Sequence, residues 1–388
     1  MPQPFGAYQS EIYLNGLNGV VPDFTTDGTA LEAMAREVLR PEPYGYAAGG
    51  AGSGATMRAN REAFDHWRIV PRMLTDATDR QLATTVLGTE LPAPVLLAPI
   101  GVQSILHEEG ELATARAAAA LGVPMVLSTA SSYSLEDVAK ASGAGPRWFQ
   151  LYWPNDPEVA ASLLQRAKRA GYSALVVTLD TWTLAWRPSD LDQAFLPFIR
   201  GTGIANALTD PAFRALLERT PEEDPQAAIL RWVGMFTGTD KRWDQLPFLR
   251  EHWDGPILLK GIQHVDDARR AVEAGMDGVV VSNHGGRQVD GAVASLDVLP
   301  SIVRAIGERA TVLFDSGIRS GADVVKALSL GANAVLLGRP FAYGLAAGGE
   351  SGVRHVLRSL LADLDLTMAL SGNARLAGLN PDVLTRSL

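Results

Sequence analysis

The 388-residue sequence predicts an α/β fold: a closed (β/α)8 TIM barrel with an N-terminal extension and a long lid insertion after strand 4. Three observations support this. Eight short apolar runs alternate with helix-patterned segments between residues 94 and 337, as in a parallel sheet wrapped by helices. Several helical segments stop at a glycine, as in Ala170-Gly171-Tyr172, Ala274-Gly275-Met276 and Leu330-Gly331-Ala332. An open doubly wound sheet shares the periodicity, but no glycine-rich dinucleotide fingerprint follows the first strand, so the closed barrel is preferred.

In chain order, all 388 residues read as one domain. Residues 1–90 form the N-terminal extension, and residues 91–184 and 254–345 form the barrel. Strands are expected at 94–99, 125–128, 148–151, 174–179, 257–260, 278–282, 312–315 and 334–337. These are apolar runs, the pattern of strands covered on both faces. Helices are expected between them, for example at 110–120, 134–140, 158–170, 265–274 and 322–330. Residues 185–253 are too many for an ordinary connection and include Trp186, Trp232, Trp243 and Trp253, so they read as a lid over the active face. Within the lid, residues 220–225 are expected to be mobile. Residues 346–388 read as C-terminal helices, with an amphipathic closing helix at 353–370.

Composition narrows the function. With 47% hydrophobic residues the chain can bury a large core. The absence of cysteine excludes disulfides, thiolate metal sites and a cysteine nucleophile. A net charge of −9 with scattered Lys and Arg argues against nucleic-acid binding. No apolar run is long enough to span a bilayer, and Met1-Pro2-Gln3-Pro4-Phe5 lacks a basic or apolar leader. A cytoplasmic protein without membrane contact is therefore expected. His66, His107, His252, His264 and His355 have no metal-site spacing, so no metal is expected.

The most informative stretch is Ser282-Asn283-His284-Gly285-Gly286-Arg287-Gln288, which follows the expected sixth strand. It places a proton acceptor and a fixed cation three residues apart at a strand end, where barrels carry their chemistry. Other strand ends add Gln150-Leu151-Tyr152, Thr178-Leu179-Asp180 and Lys260. Strands seven and eight end in Asp315-Ser316-Gly317-Ile318-Arg319 and Gly338-Arg339-Pro340. Glycines for backbone N–H donation beside Arg319 and Arg339 make a phosphate cup, with Asp315 placed to hold ribityl hydroxyls.

Over about residues 44–372 the chain resembles the FMN-dependent 2-hydroxy acid oxidases, whose active-site signature is the Ser-Asn-His-Gly-Gly-Arg-Gln run. Within that family it most resembles lactate 2-monooxygenase, through Asn15-Gly16-Leu17, Ala48-Gly49-Gly50, Asp180-Thr181-Trp182, Trp186-Arg187-Pro188 and Lys260-Gly261-Ile262-Gln263-His264. The resemblance implies FMN as cofactor and L-lactate or a close 2-hydroxy acid as substrate, with O2 as the oxidant. His284 is then the base, partnered by Asp180, as hydride passes to flavin N5. Arg187 and Arg287 clamp the substrate carboxylate, and Tyr46 and Tyr152 donate further hydrogen bonds. Lys260 stands beside flavin N1 and O2. Pro99, Ile100 and Gly101, with Ser128, Gln150, Thr178 and Ser282, match positions that hold the ring. Asp315, Gly317, Arg319, Gly338 and Arg339 match the ribityl and phosphate site. A homotetramer or homo-octamer is also implied.

Gly101 and Ala130 stand where many oxidases of the family have alanine and a bulky aromatic, and both are expected to widen the pocket. A lidded pocket that retains the keto acid gives acetate, carbon dioxide and water. Early release gives the 2-keto acid and hydrogen peroxide instead. A non-catalytic phosphate-binding barrel is disfavoured because His284, Asp180 and the two clamp arginines would then be costly buried charges without a purpose.

Overall fold

The computed structural model describes residues 4–236 and 241–387. Eight parallel strands close into a barrel: β1 (Val95–Leu97), β2 (Met125–Ser128), β3 (Arg147–Leu151), β4 (Leu175–Thr178), β5 (Ile257–Ile262), β6 (Gly278–Val281), β7 (Thr311–Phe314) and β8 (Ala334–Leu337). All eight lie on the expected runs. β5 extends two residues further than expected, with a register shift against β6 between Lys260 and Ile262.

Strand alternation separates two apolar layers. Leu96, Val126, Trp148, Val176, Leu258, Val280, Leu313 and Leu336 belong to one cluster, the barrel interior. Their neighbours, such as Val95, Leu127, Val177 and Val281, pack outward against the helices. The hairpin Thr84–Val86/Thr89–Leu91 adds Val86 and Leu91 to the interior cluster, and Trp148 Nε1 donates to Thr89 Oγ1 at 2.9 Å. The extension thus plugs the barrel.

Local signals start the outer helices. Ser134 caps Leu135–Ser142, Asp156 caps Pro157–Arg169, and Ser320 forms a capping box with Asp323 on Gly321–Ser329. The N-terminal extension also meets the C-terminal segment: Trp67–Ile69 pairs antiparallel with Leu384–Arg386.

One sequence expectation needs correction and two gain detail. The expected closing helix at 353–370 lies in the second of two helical stretches within Arg339–Leu370, which part at Gly348 and Gly349, where the backbone is not helical. The final part of 185–253 is the helix Pro247–His252, which packs on Pro157–Arg169 as part of the outer ring and not as lid. The acidic stretch 220–225 has local partners: Arg214 donates to both Glu222 oxygens, at 2.9 and 2.8 Å, and Asp224 caps the helix Pro225–Met235. Among the described residues no helix is long and apolar enough to cross a membrane.

Candidate active site

The period-2 alternation that fills the barrel also builds the floor of the site. Two residues beyond an inward apolar side chain, six strands bring a polar one to the same face: Ser128, Gln150, Thr178, Lys260, Ser282 and Asp315. Ser128 Oγ donates to Gln150 Oε1 at 2.9 Å. Lys260 Nζ donates to Ser282 Oγ at 2.9 Å and lies 3.2 Å from Asp315 Oδ2. Burial opposes the charge on Lys260, but Asp315 and Asp180 outweigh it and raise its pKa, so the ammonium persists.

Above this floor lies a cavity of about 370 Å³, in the range of small-molecule sites. The loop leaving β6 enters it with His284 at φ 59°, a strained conformation for a non-glycine residue. The strain is held from the N-terminal extension. Asn60 Nδ2 donates to Asn283 Oδ1 at 2.8 Å, and Asn283 Nδ2 donates back to Asn60 Oδ1 at 2.7 Å. A Cβ on Gly286 would meet Met57 N at 2.6 Å, so only glycine fits there. Ser316 Oγ accepts from Gly285 N at 3.0 Å.

His284 Nδ1 lies 2.8 Å from Asp180 Oδ1. Burial pushes the Asp180 carboxyl up, but His284, Lys260 and Thr181 together hold it at about 2. It is therefore ionised and can only accept, so Nδ1 carries the proton and Nε2 is the basic nitrogen. Burial lowers the imidazole pKa, more than Asp180 raises it, and Lys260 and Arg187 push the same way as burial. The resting ring is neutral, as a proton acceptor requires.

Two arginines converge beside it. Arg187 Nε donates to Arg287 O at 3.0 Å, and burial together with the Arg287 charge lowers the Arg187 pKa to about 10. Arg287 Nη1 donates to Tyr46 O at 2.6 Å and Gly49 O at 2.8 Å, and its guanidinium stands 5.0 Å from the Tyr46 ring centroid. These acceptors end the helix Pro41–Ala48, where carbonyls favour cations. Burial raises the pKa of both Tyr46 and Tyr152, which stay protonated donors.

At the other end, Gly317, Arg319, Gly338 and Arg339 line the same cavity. Arg339 donates to Ala47 O, Gly285 O and Gly49 O at 3.3, 2.8 and 2.8 Å. Burial lowers the pKa of Arg339 to about 10 and that of Arg319 in the same direction. Among the described residues neither guanidinium forms an ion pair, an arrangement suited to an anionic ligand.

Of the residues expected from sequence, Tyr46, Tyr152, Arg187, His284 and Arg287 all line this cavity, as do Lys260, Asp315, Pro99, Ile100 and Gly101. Ser128, Gln150, Thr178, Ser282 and Asp180 stand behind its wall, with Thr178 and Asp180 lining a neighbouring cavity of about 330 Å³. Asp315 is already engaged by Lys260 and by Ser316 Oγ, which donates at 2.7 Å. Thr181, Ser316 and Asn60 were missed. They carry no residue-type signal, and Asn60 is 223 residues from its partner.

The expectation for Gly101 changes. A Cβ there would meet Ala130 O at 2.5 Å and Ala130 Cβ at 2.9 Å, so this glycine is needed for a close approach of two loops and does not widen the pocket. Ala130 does line the cavity. Beneath both loops, buried Glu111 Oε1 accepts from Gln103 N and Ser132 N, each at 3.0 Å. Burial raises its pKa to about 7.

A barrel that gathers a neutral histidine backed by an ionised aspartate, a pair of arginines and an anion cup around one cavity has the groups that an enzyme of small anionic substrates needs. The sequence matches the FMN-dependent dehydrogenases over residues 35–386, and the chain belongs to that family. It is 52% identical to the FMN-dependent alpha-hydroxy acid dehydrogenase qulF of Penicillium citrinum, over 99% of this chain and 97% of that protein. It is 43% identical to an L-lactate oxidase of Lysinibacillus sphaericus, over 92% of each. A mandelate oxidase crystal structure superposes with a TM-score of 0.83 at 40% identity, covering 94% of this chain and 99% of that one. The chain is thus an FMN-dependent oxidoreductase of 2-hydroxy acids.

The residues present fit FMN. Among the described residues two buried guanidiniums without acidic partners suit its phosphate, and Gln150 Nε2 is a buried donor without a hydrogen-bond partner, suited to an acceptor on the ring edge.

Proposed function

We propose that the chain oxidises L-lactate, or a close L-2-hydroxy acid, and in the presence of O2 converts it to acetate, carbon dioxide and water, as lactate 2-monooxygenases do. The supporting observation is the convergence of His284, Arg187 and Arg287 on one cavity that also holds the phosphate cup. Bound FMN supplies a hydride acceptor that returns its electrons to oxygen as hydrogen peroxide.

The protein's own groups prepare the substrate. Arg187 and Arg287 fix the carboxylate, and Tyr46 and Tyr152 donate hydrogen bonds beside it. His284 Nε2 takes the hydroxyl proton as the α-carbon loses hydride, and Asp180 stabilises the resulting imidazolium. Lys260, Ser128, Gln150, Thr178 and Ser282, with main-chain groups of Pro99, Ile100 and Gly101, would hold the ring. Asp315, Gly317, Arg319, Gly338 and Arg339 would hold the ribityl phosphate.

The monooxygenase outcome needs pyruvate and peroxide to meet before either leaves, since pyruvate plus hydrogen peroxide gives acetate, carbon dioxide and water. In support, Phe198, Trp232 and Phe236 of the insertion line the same cavity, so we read this segment as the lid. A second reading, an oxidase releasing the 2-keto acid and hydrogen peroxide, is favoured by the likeness to L-lactate oxidases.

The test is anaerobic addition of L-lactate to the yellow protein, then air and product analysis. Bleaching followed by stoichiometric acetate is expected. Stoichiometric peroxide with pyruvate selects the second reading, and absence of bleaching rejects both. A cytoplasmic homotetramer or homo-octamer completes the proposal, its assembly to be checked by light scattering.

A further inference from the structure

Asp180 makes both of its carboxylate hydrogen bonds through one oxygen. Oδ1 accepts from His284 Nδ1 at 2.8 Å and from Thr181 Oγ1 at 2.9 Å. Oδ2 is buried and has no hydrogen-bond partner among the described residues. Leaving a charged oxygen without a protein donor is costly, so the surroundings must impose this orientation.

Gly261 is the surface the carboxylate rests on. It follows Lys260 where β5 slips register against β6, and its φ of 102° is rarely adopted by residues with a side chain. A Cβ built there would stand 2.8 Å from Asp180 Cβ and 2.9 Å from both Cγ and Oδ2. The opposite edge is closed by Thr181, whose hydroxyl is also 3.2 Å from His284 Nδ1.

We propose that Gly261 is a positioning residue for proton removal: its missing side chain seats the Asp180 carboxylate so that both donors converge on Oδ1 and His284 presents Nε2 to the substrate. The Oδ2 without a protein donor has a purpose in this arrangement. A carboxylate with few donors is stabilised most by the charge that appears on the imidazole during reaction. The inference rests on His284 being the base.

The test compares Gly261→Ala with the native protein and repeats the change in an Asp180→Gly background, which removes the Cβ that the new methyl would meet as well as the carboxylate. Alone, Gly261→Ala should slow anaerobic bleaching by L-lactate at least tenfold. It should also move the acid limb of the pH profile to lower pH, because Asp180 no longer pulls the imidazole pKa up. In the Asp180→Gly background the same change should cost less than twofold. Losses that multiply, or an unmoved limb, overturn the proposal. If Gly261→Ala does not accumulate as folded yellow protein, recovery on adding Asp180→Gly supports the contact, and failure to recover overturns it. Should Asp180→Gly and His284→Asn themselves leave bleaching unchanged, the base assignment falls. Sensitivity to those two with indifference to Gly261→Ala sinks only the positioning role.

Discussion

In the proposed mechanism His284 serves as the base while the Asp180 carboxylate holds the proton on its other nitrogen. In Asp180→Asn the amide can present its N–H₂ to Nδ1, which moves the ring proton to Nε2 and removes the base. Flavin bleaching by substrate should fall by about 10²–10⁴-fold with FMN retained, as stopped-flow absorbance would report. Because burial holds the native imidazole below its ordinary 6.5, the acid limb of kcat/KM should lie below pH 6.5. Activity is then lost as the pH falls through that value and the ring protonates. At the phosphate end, Arg339→Ala should weaken FMN retention by at least about tenfold in ultrafiltration, since one buried charge-assisted partner is lost. Residues of this kind were legible in the sequence because His284 and Arg287 lie in one contiguous motif. Ser316 and Thr181 were not, since a hydroxyl that braces a loop looks like any other serine or threonine.

The strands were the most legible elements because parity alone does the work. Counting two residues on from Trp148, Leu258 or Leu313 reaches Gln150, Lys260 and Asp315, so the polar floor can be read from apolar runs and their period. Helices were harder where proline or glycine interrupts them. Ser295–Ile306 carries Pro300 inside, and the long closing helix is broken at Gly348 and Gly349. The helix Gly110–Ala120 offers a test of its own. Glu111 has a pKa of about 7 against an ordinary 4.5, so the fold favours its protonated form. That contribution is complete below pH 4.5 and is lost as the pH rises through 7. Glu111→Gln keeps one oxygen for Gln103 N and Ser132 N and carries no charge. Above pH 7 it should be the more stable protein, by on the order of 2 kcal/mol in urea melts, with the advantage vanishing near pH 4.5.

At the scale of the whole molecule, the extension is part of the catalytic scaffold. It plugs one end of the barrel with Val86 and Leu91, braces the His284 loop through Asn60, and is clasped to the C-terminus by Trp67–Ile69. Sequence patterning placed this segment outside the barrel but gave no sign of these contacts, because pairing across more than 200 residues leaves no local period. Truncation after Val383 removes the strand Leu384–Arg386 and should lower Tm by about 2–6 °C while leaving bleaching by substrate intact, as scanning calorimetry and absorbance would show. The C-terminal strand therefore reports on global stability, and the His284 loop with its brace at Asn60 reports on chemistry. One atom joins the two halves of the cavity: Gly49 O accepts from Arg287 and from Arg339, each at 2.8 Å. On the proposed roles, with Arg339 on the nucleotide and Arg287 on the acid, loading one ligand should change the affinity for the other through this single shared acceptor.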